Sequence, residues 1–465
     1  MRVTTDTIAA TAALTDGLAA IREQFDVPIG FSAEVEAAAA AAVGRVPGAE
    51  HVDRTDLPFV TLDPASSTDL DQAFCLERSK DDLLLRYAIA DVGWFVQPDD
   101  PIDREAWQRG ETLYLPDGRA PLYPTTLSEK AASLLPDGAR PAVMFVVRLD
   151  QHGVATLDGV ERAMICSRAK LGYATVTQAD LPDDMPEFSR RMLAADDARG
   201  ATRIEAPEQD VEPDGRGGMQ LAFRPRLPSE DMNAALSLAT NLAVATMLFQ
   251  AGTGLFRVMD EPDDRAIRRL RHEARALGVP WPDDVSLAAF EHTLRSDDPV
   301  HAAVTLSIRR AGGAARYEPF QSGVVPWHAA MAATYAHATA PLRRLADRYV
   351  VLAALAQANG RPVPDDVTAA FQLLPEVMQR ADAVSSHIDR AVIDLVEAVV
   401  LSGHEGTTYR ALVTDVDERG ARIQLCDVAV VARVSSHTVE PGDEVRVKLV
   451  EADPVARTVG FERVA

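Results

Sequence analysis

Phe59-Val60-Thr61-Leu62-Asp63-Pro64-Ala65-Ser66-Ser67-Thr68-Asp69-Leu70-Asp71-Gln72-Ala73-Phe74 is the stretch that decides how this chain is read. Residues 59–62 are apolar and β-branched, as a strand requires, and Asp63-Pro64 closes the run. A polar turn of Ser and Thr follows, and Asp69 and Asp71 open a second extended run. Residues two apart on a strand share a face, so these two carboxylates are predicted to converge, with Asp63 meeting them across the turn. Three carboxylates this close repel one another in a partly buried site unless a cation joins them. Hard oxygen ligands of this kind suit Mg²⁺, with Mn²⁺ an alternative. A plainer reading stands beside this one, in which the aspartates cap turns and face solvent. A calcium EF-hand does not fit, because no Gly occupies the required loop position and no Glu closes the loop.

Outward from this stretch the pattern changes several times. Residues 83–90 and 142–147 are strand-like, and 150–153 read as a turn. Residues 1–45 read as two short Ala-rich helices, with Ser32 as N-cap and Gly44 as stop. Residues 181–218 are acidic and rich in Pro and Gly, the composition of a linker or excursion. Helical periodicity dominates 229–401, interrupted by Gly252, Gly254, Gly312 and Gly313. Alternation returns in 407–465, where about 60 residues suit a five-stranded barrel.

Composition narrows the class. At 465 residues two to four domains are expected, and 47% hydrophobic with 25% charged residues is ordinary for a globular protein. A net charge of −23 argues against a general coat for polyanions but leaves room for a local basic channel. Residues 301–350 supply such an island, with Arg309, Arg310, Arg316, Arg343, Arg344 and Arg348 against Glu318 and Asp347. Cys75, Cys166 and Cys426 form no CxxC pair, which fits a reducing compartment, and the His residues show no metal-ligand spacing. The N-terminus has no secretory pattern and no stretch is long and apolar enough to span a bilayer, so a cytoplasmic location without membrane contact is expected.

The carboxylate stretch resembles the signature of the RNB catalytic domain of the ribonuclease II and ribonuclease R family. That signature is a strand ending in Asp, a short Ser/Thr turn, and Asp-x-Asp-Asp. The resemblance continues in order through Leu113-Tyr114-Leu115-Pro116, Pro121-Leu122-Tyr123-Pro124-Thr125-Thr126-Leu127-Ser128, Ser133-Leu134 and Arg140-Pro141. Ser167-Arg168-Ala169-Lys170-Leu171-Gly172-Tyr173, Gly254-Leu255-Phe256-Arg257-Val258 and the segment from Tyr335 through Thr339, Pro341, Arg343 and Arg344 to Asp347 complete it. The match covers residues 50–400. It implies an α+β fold: a helical segment (1–48), an RNB domain of mixed sheet with packed helices (49–403), and an S1-like OB-fold barrel (404–465).

The resemblance also implies an activity. It is that of a processive 3′→5′ exoribonuclease hydrolysing single-stranded RNA to nucleoside 5′-monophosphates, with no protein partner. Asp63, Asp69, Asp71 and Gln72 would hold Mg²⁺, and Asp71 and Arg343 would be catalytic. Tyr114, Arg257, Arg344 and Asp389 would contact RNA, Tyr114 by stacking on a base near the 3′ end. Arg343 follows Pro341 near a helix start, a place suited to a phosphate. Three departures are visible. Gln72 replaces the last carboxylate of Asp-x-Asp-Asp, Ala234 and Ala235 stand where paired Glu are common, and Asp389 replaces a Glu. Only about 45 residues precede the catalytic block, so the family's N-terminal cold-shock domains are expected to be missing. The competing reading is a catalytically degenerate RNB-fold protein that binds RNA.

Overall fold

The computed structural model describes residues 7–202, 209–213, 219–223, 226–295, 298–417, 419–436 and 438–464. The first part of the chain supplies β1 (Val52–Asp53), β2 (Phe59–Asp63), β3 (Gln72–Ser79), β4 (Asp82–Ala90), β5 (Leu113–Leu115), β6 (Gly118–Ala120), β7 (Ala139–Leu149) and β8 (Ala155–Gly172). Six of them form a mixed sheet in the order β1-β8-β2-β3-β4-β7. β1 and β2 run parallel to β8, whereas β2, β3, β4 and β7 pair antiparallel in turn. β8 is 18 residues long and also pairs with β7, so the sheet curls back on itself. Its interior is filled by Phe59, Leu62, Phe74, Leu83, Leu85 and Phe145, each at most 1% exposed. Burial of a side chain of this size stabilises by about 1.5–3 kcal/mol.

The helix Pro228–Gln250 packs on this sheet through Leu236, Ala239, Ala243, Val244 and Leu248. It is long and apolar enough to cross a membrane by length and composition, yet more than half of its apolar window lies buried inside the protein. The helix Leu345–Ala358 covers a neighbouring part of the sheet, and Asp365–Leu401 packs on it and reaches the C-terminal barrel. A separate small bundle comprises Asp264–Ala276, Leu287–Glu291 and Pro299–Ala311 around Leu270, Trp281 and Phe290.

The N-terminal helices form as read. Ser32 Oγ accepts from Val35 N–H at 3.3 Å and Gly44 ends the helix Ala33–Val43. The helix Thr7–Gln24 contributes Leu14, Leu18 and Ile21 to a core shared with Ile388, Leu395 and Val396 of Asp365–Leu401. The linker reading of 181–218 needs correction, because Met185–Arg199 is a helix and Gln209–Pro213 pairs antiparallel with Met219–Phe223. Met185, Phe188 and Met192 are buried on one face of that helix. Its Pro sits at the helix start, where a proline is tolerated and does not signal a loop. Residues 203–208 and 214–218 of that stretch lie outside the described residues. The C-terminal segment is a closed five-stranded barrel, Thr408–Asp417, Gly420–Leu425, Val431–Val434, Glu444–Asp453 and Thr458–Val464, with Ile423, Val447 and Leu449 at its centre.

Candidate active site

Asp63 ends β2, where its carbonyl accepts from Tyr173 N–H at 3.1 Å, just after the end of β8. β3 begins at Gln72, so residues 64–71 are a loop and strand alternation does not govern Asp69 and Asp71. The loop is clamped from behind. Leu70 N–H donates to Ser133 Oγ at 2.9 Å, Ser133 Oγ donates to the Thr68 carbonyl at 2.7 Å, and Leu134 N–H reaches the Leu70 carbonyl at 3.0 Å. Ser133-Leu134 of the sequence pattern therefore shapes the carboxylate loop.

Asp71 is buried. Its Oδ1 accepts from the Leu342 N–H at 2.7 Å and its Oδ2 lies 3.3 Å from Arg343 Nε. Burial pushes its carboxyl up to about 7, against the Arg343 charge and the Leu342 hydrogen bond, with the charges of Asp69 and Asp347 adding to the rise. Asp63 rises to about 6, again chiefly through burial, with Arg343 opposing and Asp69 adding. Its Oδ2 is buried and has no hydrogen-bond partner. Arg343 stays 43% exposed, so the guanidinium faces both the carboxylates and solvent.

A buried scaffold holds the irregular segment and turn that carry Arg343. Asn241 Oδ1, on the buried face of Pro228–Gln250, accepts from Ala338 N–H at 2.9 Å. Asp347 Oδ2 accepts from Ala340 N–H at 2.8 Å. The helix begins only at Leu345, so Pro341 lies in the preceding turn. That turn aims the Leu342 N–H at Asp71.

Of the expected set, Asp69 acts by its charge on both Asp63 and Asp71. Among the described residues no three His, Cys, Asp or Glu side chains are grouped to hold a metal. Asp69 is engaged by Arg119 Nη1 at 2.6 Å and by the Tyr114 hydroxyl at 3.3 Å. Arg119 also bonds Thr68 Oγ1 at 2.6 Å and pairs with Glu129 at 2.9 Å. Gln72 is buried with its Oε1 accepting from the Tyr87 hydroxyl. Asp63 and Asp71 suit a divalent cation on their chemistry, since Asp63 has an unpartnered buried oxygen and both carboxyls resist ionisation without a counter-charge.

The expected RNA contacts divide. Tyr114 is 47% exposed on the β5–β6 hairpin, directly across from Arg119. Arg344 instead forms a two-pronged pair with the fully buried Asp347, at 3.0 and 2.8 Å, and holds the Arg343 segment in place. Arg257 pairs with Asp382 at 2.9 Å and lies over the Tyr317 ring at 4.5 Å. Asp389 is exposed two helical turns beyond Asp382 on Asp365–Leu401, about 10 Å along its axis. The basic island is largely neutralised as well. Arg316 pairs with Asp260 and Glu318, and Arg348 pairs with Asp103. The side chains of Arg309 and Arg310 lie outside the described residues. Arg119, Tyr87 and Asp382 went unrecognised in the sequence, whereas Asn241 ends the helical stretch from Ser237 that resembles an Asn-ending helix of the family. None of those three sits in a motif, and each matters only through a partner 15 or more positions away.

A curled mixed sheet that offers desolvated carboxylates to one guanidinium, joined to a small closed barrel, is the architecture of a ribonuclease catalytic domain with an OB-fold attached. Residues 51–357 match the RNB domain and residues 407–464 the RNase II-type exonuclease C-terminal S1 domain. The chain belongs to the RNB exoribonuclease family. It is similar to Ribonuclease R of Thermotoga maritima, at 25% identity over 501 residues covering 95% of this chain and 69% of that one. The chain spans 50–69% of the length of the Ribonuclease R relatives it matches. Its fold superposes on Mycoplasma genitalium RNase R in complex with ribose methylated single-stranded RNA, with TM-score 0.86 and 20% identity over 97% of this chain and 78% of that one. It also matches yeast Ssd1, a pseudonuclease, with TM-score 0.68 and 17% identity over 87% and 53% of the two chains.

Proposed function

We propose that this chain is a processive exoribonuclease that hydrolyses single-stranded RNA from the 3′ end to nucleoside 5′-monophosphates with Mg²⁺ or Mn²⁺. One observation carries the reading. The carboxyls of Asp71 and Asp63, both reluctant to ionise alone, each feel the charges of the half-exposed Arg343 and of Asp69. Asp63 and Asp71 would hold the cation, which when bound polarises a phosphoryl oxygen and lowers the pKa of attacking water. The Leu342 N–H fixes the orientation of Asp71. The Arg343 guanidinium can grip a phosphate and offset charge that builds on it during cleavage. Tyr114 offers its ring to the terminal bases from the rim. Direction, product and processivity rest on the family resemblance, and the RNA bound by the Mycoplasma genitalium protein supports the ligand class.

The test uses one oligoribonucleotide labelled at either end, with Mg²⁺ or Mn²⁺ and with Asp71→Asn as control. Immediate release of labelled mononucleotide from the 3′ label, with the 5′ label passing from full-length RNA to a short end product without long intermediates, is the expected result. Release from the 5′ label first would overturn the direction. A second reading, a non-catalytic RNA-binding protein, is favoured by the engagement of Gln72 with Tyr87 and of Asp69 with Arg119. Tight RNA binding without cleavage at any Mg²⁺ or Mn²⁺ concentration would select it.

A further inference from the structure

The helix Asp264–Ala276 carries Arg265, Arg268, Arg269, Arg271 and Arg275 with His272, against Asp264 and Glu273, in a chain whose net charge is −23. Leu270 and Ala274 are buried against the bundle core with Trp281 and Phe290. Arg271 is committed to that side, stacked on Trp281 at 4.8 Å and bonded to Asp283 at 2.9 Å. The opposite face holds Arg265, Arg268, Arg269, His272 and Arg275, all exposed and within an arc of about 120°. Arg269 reaches Glu273 at 3.5 Å, while among the described residues Arg265, Arg268 and Arg275 take no carboxylate partner. Like charges three and four residues apart weaken a helix. Such a face gains only when a polyanion lies along it.

We propose that this arginine face is a phosphate-binding track that holds RNA upstream of the 3′ end seated in the carboxylate pocket; the proposal rests on the exoribonuclease reading above. Its position supports that role. Arg257 and Arg265 are eight residues apart, so the chain itself limits their separation to about 28 Å. The acidic residues between them are partly committed, Asp260 to Arg316 at 2.7 Å and Asp263 to capping the Ala266 N–H at 2.7 Å. At the other end Leu277 packs on Gly442 in a turn of the barrel, and the helix Pro299–Ala311 approaches the strand Thr408–Asp417. The C-terminal end of the helix that carries the face therefore borders the barrel. That barrel carries only eight Lys and Arg against ten Asp and Glu between residues 408 and 464, so it lacks the positive field a polyanion needs. The neighbouring helix supplies it.

The experiment compares the full chain with the triple variants Arg265→Gln/Arg268→Gln/Arg275→Gln and Arg265→Lys/Arg268→Lys/Arg275→Lys. Binding of 4- and 16-nucleotide oligouridylates is followed by fluorescence anisotropy in EDTA across a salt series. All three side chains are exposed, so the fold is retained, and the Lys variant keeps the charge. For the 16-mer, the Gln variant is expected to flatten the slope of log K against log salt by about 2, from three phosphate contacts at about 0.7 each, and to weaken binding about 10-fold. Binding of the 4-mer should not change, and the Lys variant should follow the parent. An unchanged 16-mer slope, or an equal loss for both lengths, would overturn the track while leaving the exoribonuclease reading intact. A parent chain that binds neither oligomer would overturn that reading and the track with it.

Discussion

Asp71 in the carboxylate pocket and Asp417 in the barrel are the same side chain under opposite conditions. Asp417 is exposed on its strand, and two hydrogen bonds from Arg433 at 2.6 and 2.7 Å, with one from Arg419 N–H, hold its carboxyl down to about 2. Asp71 also has a guanidinium and a backbone N–H, yet burial outweighs both and holds it up at about 7. Desolvation, not the number of partners, separates them. The barrel resolves its charges locally. The pocket keeps a carboxylate whose ionisation the fold opposes, a cost that suits a site awaiting a cation or a phosphate.

The largest test of this contrast is Asp71→Asn. Removing the carboxylate is expected to lower kcat/KM by at least about 100-fold while leaving the RNA Kd near that of the parent. In the metal-free protein at pH 8 the same change should raise the Tm by about 2 °C or more, because the opposed charge is gone. Loss of activity with a fall in Tm would make Asp71 a structural residue and erase its difference from Asp417.

A pH series sharpens the comparison without a substitution. Asp71 at about 7 and Asp63 at about 6 bind protons that an unfolded Asp, near 3.9, has already released. Between about pH 4 and 7 the folded state therefore holds more protons than the unfolded one, and stability falls as pH rises through that window. The metal-free Tm should decline from pH 5 to pH 8, and Mg²⁺ should restore it at pH 8 with little effect at pH 5. A decline of equal size in an Asp63→Asn/Asp71→Asn variant would assign it to other groups, among them Glu111 and Glu291, both raised to about 7.

A smaller effect concerns Gln72. The family pattern alone suggests that Gln72→Asp would restore a ligand and tighten metal binding. The Tyr87 hydrogen bond changes that expectation, because a shorter buried carboxylate would lose the Tyr87 fit. Gln72→Asp should cost about 1–3 kcal/mol of stability and leave Mn²⁺ affinity by calorimetry unchanged. Tighter Mn²⁺ binding would place residue 72 in the ligand set. Smallest of all is Arg433→Gln. The exposed pair with Asp417 is screened by water, so neither the Tm nor the rate of RNA cleavage should move measurably.

Much of the architecture was legible in order along the chain. Strand patterns at 59–62, 83–90 and 142–147, the cap at Ser32 and the alternation after residue 407 all formed as read, because each rests on local periodicity or a local hydrogen bond. The helix Met185–Arg199 was hidden by acidic and proline-rich composition, although its apolar spacing was present.

The sequence by itself determined which chemistry-bearing residues exist and which family they belong to, since ordered motifs survive as strings of residue types. It set Asp63, Asp71 and Arg343 in place as candidates. Tertiary structure alone decided which partner each candidate meets. Asp69 goes to Arg119, Gln72 to Tyr87, Arg344 to Asp347 and Arg257 to Asp382, each pair joining residues whose proximity no local pattern encodes except the neighbouring Arg344 and Asp347. The raised carboxyls of Asp63 and Asp71 are likewise a product of the fold, because desolvation is a property of the surroundings that packing creates and not of the residue.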